Sequence, residues 1–194
     1  MNKTLTYKSV GAGITITGVA DDKMTGKLVI PDKIDGKSVT HIGPHAFDGC
    51  SGLTSVIIPN SVTSIGNSAF YDCSGLTSVT IPNSVTSIGS GAFGACSGLT
   101  SATLPNGLIH IENFAFSGCS GLTSITIPDR VKSIGQYAFD GCKKLTSVII
   151  PDSVTSIGNS AFSGCKGLTI VTIPAELKKI GTGVFPATTK IIRK

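Results

Sequence analysis

Apolar and polar positions recur along this chain with a period of 23 residues, from about residue 29 to residue 185. The six cysteines and seven of the eight phenylalanines keep that step. A fixed period of this length is typical of solenoid repeat proteins, in which each unit covers the apolar surface of its neighbour. In one unit the apolar positions are Leu76, Val79, Ile81, Val85, Ile88, Ala92, Phe93 and Cys96.

The first half of the unit predicts two short extended segments. Val79 and Ile81 alternate with polar residues, so their side chains lie on one face of a strand. Pro82 ends that strand, because proline has no N–H to donate. Residues 85–88 form a second extended segment, which Gly89 closes. If the strands pair in register, each unit adds ~4.8 Å to the stack.

The second half of the unit predicts a helical turn and a column of cysteines. The spacing from Phe93 to Cys96 fits a single inward-facing helical turn over residues 90–96. All six cysteines occupy the same position, so their side chains are parallel, which disfavours the geometry of a disulfide. We expect buried thiols whose S–H groups reach loop carbonyls, with strained disulfides or a metal site as the alternatives.

The N-terminal residues do not fit the unit. Two alternating segments flank the turn at 11–13, which predicts a β-hairpin that caps the first repeat, followed by a polar loop over 21–26. The first repeat carries five extra residues around 33–37, with an Asp-Gly turn signal.

The periodic pattern stops at Phe185, and residues 189–194 are predicted to form a capping strand with charges on its edge. We therefore predict one domain over residues 1–194. It would comprise an N-terminal hairpin cap at 1–27, seven repeats at 28–185 and a C-terminal cap at 186–194.

The framework pattern LTSVxIPxSVTSIGxxAFxxC closely resembles the BspA-like leucine-rich repeat proteins, over roughly residues 14–185. The segments 53–58 and 76–81 carry the LxxLxL spacing of leucine-rich repeats. The resemblance implies an α/β solenoid of leucine-rich-repeat type, curved and right-handed, with a parallel sheet. It also implies a surface or secreted protein associated with adhesion and host-protein binding. One unit departs from the pattern, at Gly107, Glu112 and Phe114.

Charge is distributed unevenly. The formal net charge is +5, yet the only charged residues between Ser51 and Pro128 are Asp72 and Glu112. Because this central region is nearly uncharged, we do not expect the protein to bind nucleic acid, which requires a cluster of basic residues on one surface. Ten basic residues follow Gly98; they form either a mild basic end or, as we favour, a solubilising surface.

The location of the protein rests on two observations. No apolar run approaches the ~20 residues that span a bilayer, so membrane insertion is not expected. No apolar stretch follows Lys3, so the N-terminus does not fit a signal peptide. The protein is then either cytoplasmic or a surface or secreted protein whose leader is absent from this chain, and the resemblance favours the second.

In leucine-rich repeats the strand face is the usual docking surface, so the resemblance makes the polar residues of the main strands our ligand-binding candidates. These are Ser78, Thr80, Ser101, Thr103, Ser124 and Thr126. The expected partner is a host or matrix protein, or a glycan. Two other hypotheses remain: a spacer with no ligand of its own, in which threonine simply suits an exposed strand, and ice binding through the regular hydroxyl array.

Catalysis finds no support in the sequence. None of His41, His45 and His110 has a cysteine or serine partner fixed by spacing. Neither a phosphate-binding loop nor a pair of acidic residues at catalytic spacing is recognisable. We therefore expect no enzymatic activity, no cofactor and no metal.

Overall fold

A computed structural model describes residues 5–20 and 24–194 of the chain. They form a β-solenoid of about eight turns of about 23 residues, with parallel sheets. The strands are β1 (Leu5–Val10), β2 (Gly13–Val19), β3 (Thr25–Val29), β4 (Lys33–Ile34), β5 (Lys37–Ile42), β6 (Gly52–Ile57), β7 (Ser64–Ile65), β8 (Ser78–Thr80), β9 (Ser87–Ile88), β10 (Ser101–Thr103), β11 (His110–Ile111), β12 (Ser124–Ile125), β13 (Ser133–Ile134), β14 (Ser147–Ile149), β15 (Ser156–Ile157), β16 (Ile170–Ile173), β17 (Lys179–Ile180) and β18 (Lys190–Arg193).

Two ladders of parallel strands run along the solenoid, as the two extended segments of each unit predict. The main strands form the sheets β3-β6-β8-β10-β12 and β14-β16-β18. The second strands continue from β2 through β5, β7 and β9 in one sheet, and through β11, β13, β15 and β17 in another. Pairing is in register with the repeat, so that Ser78 lies opposite Ser101 and Ser101 opposite Ser124.

One continuous core fills the solenoid from Ile14 to Val184. All eight apolar positions of the unit at 76–98 are buried, as predicted. The phenylalanines stack as a column from Phe47 to Phe185, with neighbouring ring centroids 5.0–5.5 Å apart. These distances fall in the range that aromatic pairs favour, so each repeat contributes one large apolar group to its neighbours.

The N-terminal hairpin is confirmed: β1 pairs antiparallel with β2, and β2 then pairs parallel with β5. The insertion in the first repeat forms a second antiparallel pair, β4 with β5, whose turn places Asp35 and Gly36 at positive φ. The Tyr7 hydroxyl donates to the Asp35 carboxylate at 2.8 Å and links the two hairpins. The predicted polar loop is only partly right, since Thr25 already begins β3, while residues 21–23 lie outside the described residues.

The predicted C-terminal strand is present: β18 pairs with β16 and leaves all four of its residues exposed. Lys190 and Arg193 lie on this strand, where charge discourages pairing with another chain. The right-handed curvature implied by the resemblance stays a prediction, as does the division into two caps and seven repeats.

The predicted helical turn is wrong. Residues 90–95 form consecutive turns, and no α-helix occurs in the described residues. Alternate amides donate to different partners: Ala92 bonds to the Gly89 carbonyl three residues back, whereas Phe93 bonds to the Ala115 carbonyl of the next repeat, at 2.9 Å. An α-helix would direct every amide to the residue four positions back. Half of the backbone donors of this turn segment therefore join repeats together instead.

The dihedral angles of the turn segment explain why it is not helical. Two positions in it, four residues apart, have positive φ, for example Gly91 at 64° and Ala95 at 58°. The same two positions are left-handed in the neighbouring repeats even when they hold Ser68, Asp72 or Phe114. Because a right-handed helix needs negative φ throughout, each left-handed residue turns the chain and points the next amide at the adjacent repeat.

Candidate ligand-binding surfaces

We name the outward side of the main strands the strand face. All six residues predicted as ligand-binding are exposed on it. Ser78, Ser101 and Ser124 are paired in register, as are Thr80 and Thr103. Thr126 is exposed just beyond the end of β12. The fold therefore brings five of the six into two neighbouring columns and places the sixth at their end.

The hydroxyls of the strand face differ from those of the threonine column that precedes it. Thr77, Thr100 and Thr123 each donate their hydroxyl to the carbonyl of the threonine one repeat earlier, at 3.0–3.3 Å. Such bonds tie repeats together and occupy the side chain. Within the described chain, no such bond engages Ser78, Thr80, Ser101, Thr103, Ser124 or Thr126.

The two ends of the strand face are apolar. Val29 and Ile57 are about half exposed at the N-terminal end. At the C-terminal end Ile149 is 65% exposed, and Ile170 and Ile192 are exposed on the next two strands of the sheet, β16 and β18. The strand face is thus a hydroxyl-bearing middle between two apolar ends, where Ile57 and Ile149 replace the usual threonine and Ile170 replaces the usual serine.

The cysteine column is buried and holds thiols, as predicted. Five of the thiols donate to the carbonyl of the phenylalanine 26 residues earlier, as Cys96 does to Phe70 at 3.1 Å. Burial raises the pKa of the Cys96 thiol to about 12 and also raises the pKa of Cys73 and Cys119. These groups are therefore protonated and unreactive at neutral pH, because the thiolate is the nucleophilic form.

The three histidines lie on the surface in incomplete arrangements. His110 Nδ1 is 2.8 Å from the Ser133 hydroxyl on the neighbouring strand, and His45 Nδ1 is 2.9 Å from the Asp48 carboxylate. A nucleophile activated by histidine needs two contacts on the same histidine: one to the hydroxyl that it deprotonates and one to a third group, such as a carboxylate, that orients the ring. Here the hydroxyl contact and the carboxylate contact belong to different histidines in different repeats, so neither pair forms a catalytic constellation.

Among residues 5–20 and 24–194, no group of three or more histidine, cysteine or acidic side chains is placed to hold a metal ion. The same residues contain no helix with the length and apolar character needed to cross a membrane.

A shallow groove opens on the turn segments, away from the strand face. Its volume is about 320 Å³, and no charged side chain lines it. The amino-acid sequence gives no sign of this groove, because its two aromatic residues lie 43 positions apart in the chain. The side chains and backbone that line it include Ser68, Tyr71, Ser90, Ala95, Phe114 and Ser117.

The unit that departs from the pattern also interrupts a sheet. Every neighbouring unit has glycine where this one has Glu112, and a Cβ built on Gly89 would lie 2.5 Å from the backbone nitrogen of Asn67 in the preceding repeat. Glu112 carries such a Cβ, and β9 and β11, which flank this junction, belong to separate sheets. The glycine position therefore sets how closely two repeats approach.

This combination of parallel strand ladders, a 23-residue period and a fixed apolar framework defines a leucine-rich repeat solenoid. The family model for the BspA type leucine rich repeat region matches the chain in six copies, over residues 27–120 and 86–193. The chain therefore belongs to the BspA-type leucine-rich repeat family, as the sequence pattern predicts. This family consists generally of non-enzymatic scaffolds and protein-interaction modules.

Solved structures of bacterial leucine-rich repeat proteins share the fold. The leucine-rich repeat protein of T. pallidum is 30% identical with a TM-score of 0.67, over 100% of this chain and 79% of that one. A leucine-rich repeat protein from Eubacterium ventriosum is 25% identical with a TM-score of 0.74, over 98% of this chain and 50% of that one.

A leucine-rich cell surface protein from Faecalibacterium prausnitzii is 24% identical with a TM-score of 0.62, over 100% of this chain and 78% of that one, and this likeness concerns the fold alone. No curated protein matches the chain significantly.

Proposed function

We propose that this protein is a non-catalytic binding or adhesion module that docks a host or matrix protein, or a glycan, on its strand face. The observation that carries the proposal is the set of exposed, in-register hydroxyls that make no bond within the described chain. Ser78, Thr80, Ser101, Thr103, Ser124 and Thr126 offer both donors and acceptors to a partner. The general role of leucine-rich repeats as protein-interaction modules supports the same surface.

We further propose that the module acts at the cell surface or in a secreted form. Membership of the BspA-type family supports this location. The printed description of the Faecalibacterium neighbour as a cell surface protein points the same way. Fractionation of the source organism, with an antibody against the chain, tests the location; recovery only from the cytoplasm would contradict it.

The binding proposal is tested with labelled protein on immobilised extracellular-matrix proteins and on a glycan array. The variant Thr80→Lys plus Thr126→Lys places two long charged side chains on the strand face and should abolish binding to the matrix proteins and to any glycan that docks on that face. Ser87→Lys plus Asn106→Lys adds the same charge at exposed positions off that face and should leave binding unchanged. Equal binding by both variants would remove the strand face from the proposal.

A structural spacer is the second candidate function. The near-identity of the units favours it, because the hydroxyl columns contain no tyrosine, tryptophan or arginine of the kind that anchors most protein interfaces. A spacer would bind neither a matrix protein nor a glycan through the strand face, so Thr80→Lys plus Thr126→Lys would change nothing on either support. It would also join other domains in the parent protein, which sequencing of the full reading frame would show.

A further inference from the structure

Three exposed aromatic side chains stand in the turn segments at positions where other repeats carry small or polar residues. Tyr71 corresponds to Asp48, Gly94, Ser117, Asp140 and Ser163, and Phe114 to His45, Ser68, Gly91, Ser160 and Gly183. Tyr137 occupies the same position as Phe114, one repeat later. Their exposed fractions are 43%, 44% and 37% in chain order, although Phe114 and Tyr137 stack with ring centroids 5.1 Å apart.

The backbone conformation at Phe114 indicates that its aromatic side chain is not explained by a contribution to the stability of the fold. Its φ is 58°, in the left-handed region that a bulky residue rarely adopts. Serine and glycine occupy the same position in other repeats and fold into the same turn. An aromatic side chain that is both exposed and held in a costly backbone conformation indicates a role other than packing.

The repeat between the two aromatic residues makes room for the groove. Gly91 and Gly94 stand where Phe114 and Tyr71 stand in their own repeats. A Cβ on Gly94 would lie only 2.9 Å from Cδ2 of Tyr71, so the tyrosine ring rests directly on this glycine. The groove of about 320 Å³ lies between Tyr71 and Phe114, at the small end of ligand-pocket volumes.

The lining of the groove selects the chemistry of its ligand. Aromatic faces pack against the C–H surface of a sugar ring, and Ser68, Ser90 and Ser117, whose hydroxyls can donate and accept, line the same space. The Ser90 hydroxyl already donates to the Asn113 carbonyl and so keeps its oxygen as an acceptor. No cation is available for an acidic sugar, because residues 51–128 contain neither lysine nor arginine.

We propose that the groove between Tyr71 and Phe114 is a binding site for a neutral saccharide. It lies on the turn segments and is separate from the strand face, so it goes beyond the function proposed above. Gly94 acts as a positioning residue, since its lack of a side chain lets the Tyr71 ring lie against the repeat that follows it.

The test uses the full chain with two sets of probes. A glycan array compares neutral with sialylated and sulfated glycans, and saturation-transfer NMR with the methyl glycosides of glucose, galactose and mannose reports which sugar protons touch the protein. Binding to neutral glycans, with transfer to ring C–H protons, is the expected result. Absence of binding to every neutral probe at millimolar concentration, or a preference for sialylated or sulfated glycans, would overturn the proposal.

The variants Phe114→Ser and Tyr71→Ser assign the site, and both introduce a residue that the same positions hold elsewhere in the chain. Each should weaken binding about fivefold to tenfold through loss of one stacked face. Gly94→Ala should weaken it while shifting the NMR resonances of the Tyr71 ring. The strand-face variant Thr80→Lys plus Thr126→Lys should bind the sugar normally, which keeps this site distinguishable from the other.

Three results would contradict the site. Unchanged affinity in both serine variants would place the sugar elsewhere. Loss of sugar binding only in the strand-face variant would assign it to that surface. Self-association of the chain that disappears in Phe114→Ser would mean that a second copy, and not a saccharide, occupies the groove.

Discussion

Two stacks of aromatic rings in this protein are built by the same repeat, and they differ mainly in what surrounds them. Phe93 and Phe116 are fully buried and stack at 5.4 Å, whereas Phe114 and Tyr137 are exposed and stack at 5.1 Å. Stacking distance follows from the repeat alone, because every residue lies beside its equivalent one turn away. The buried column removes all of its apolar surface from water and the exposed stack only part of it, so the buried column should stabilise the fold more strongly.

The comparison teaches where function is to be sought in a repeat protein. Uniform columns such as the phenylalanines and cysteines are explained by packing. Residues that break uniformity at exposed positions, as Tyr71 and Phe114 do, have no such explanation. The strand face lies between these cases, since its hydroxyls are both uniform and available to a partner.

The largest expected effect concerns the buried cysteine column at high pH. A thiol whose pKa is raised in the folded state binds its proton more tightly there than when unfolded, so its contribution is complete below the unfolded pKa of 9.0 and is lost as pH rises beyond it. Four such thiols should reduce the free energy of unfolding by about 5 kcal/mol per pH unit above that value. Urea unfolding from pH 8 to 10.5 measures this.

The cysteine prediction has an internal control. Cys96→Ala removes one titrating group and should make the dependence of stability on pH less steep by about 1.4 kcal/mol per pH unit. In a titration with a thiol reagent, the buried column should not react in the folded protein and should react only after unfolding. Stability that stays constant up to pH 10.5 would contradict the assigned burial.

The second effect separates the two aromatic stacks directly. Phe93→Ala leaves a cavity in the middle of the buried column and should lower the free energy of unfolding by about 3–5 kcal/mol. Phe114→Ser is the matched change in the exposed stack, and circular dichroism during urea unfolding compares the two. Similar losses in both variants would mean that exposure does not distinguish the stacks.

A third effect tests the glycine that controls the approach of two repeats. Gly158→Ala places a Cβ 2.6 Å from the Gln136 backbone nitrogen and should cost about 1–3 kcal/mol. Glu112→Gly restores the common residue at the one position that lacks it. This change should let β9 and β11 pair and should slow hydrogen exchange of the amide at position 112. Exchange that is equally fast in both proteins would show that Glu112 does not cause the break.

The smallest effect is expected at Phe114 itself. Phe114→Ser removes an exposed aromatic contact worth about 0.5–1.5 kcal/mol and at the same time relieves a bulky side chain from a left-handed backbone. The net change in the free energy of unfolding should therefore stay below about 1 kcal/mol, which differential scanning calorimetry can measure. A loss as large as that of Phe93→Ala would give Phe114 a structural role and weaken the argument for a ligand.

Features that depend on the spacing of residues can be read from the amino-acid sequence alone. The 23-residue step identified the solenoid, alternation at Val79 and Ile81 identified the main strands, and the single cysteine position predicted buried thiols bonded to carbonyls. These inferences succeed because a residue in a stack has its own equivalent as its neighbour, so one unit describes the surroundings of all. Placement of the six strand-face residues on one exposed surface follows from the same logic.

Three features become visible only in the three-dimensional structure: the conformation of the turn segment, the break at Glu112 and the groove between Tyr71 and Phe114. The spacing of Phe93 and Cys96 suits a helical turn equally well, but the backbone amides gain partners in the next repeat and adopt left-handed φ angles to reach them. Glu112 matters through a contact with the preceding repeat, and the groove needs two aromatic residues with a glycine-bearing repeat between them. Each of these depends on how one repeat meets another, and no pattern within a single unit contains that contact.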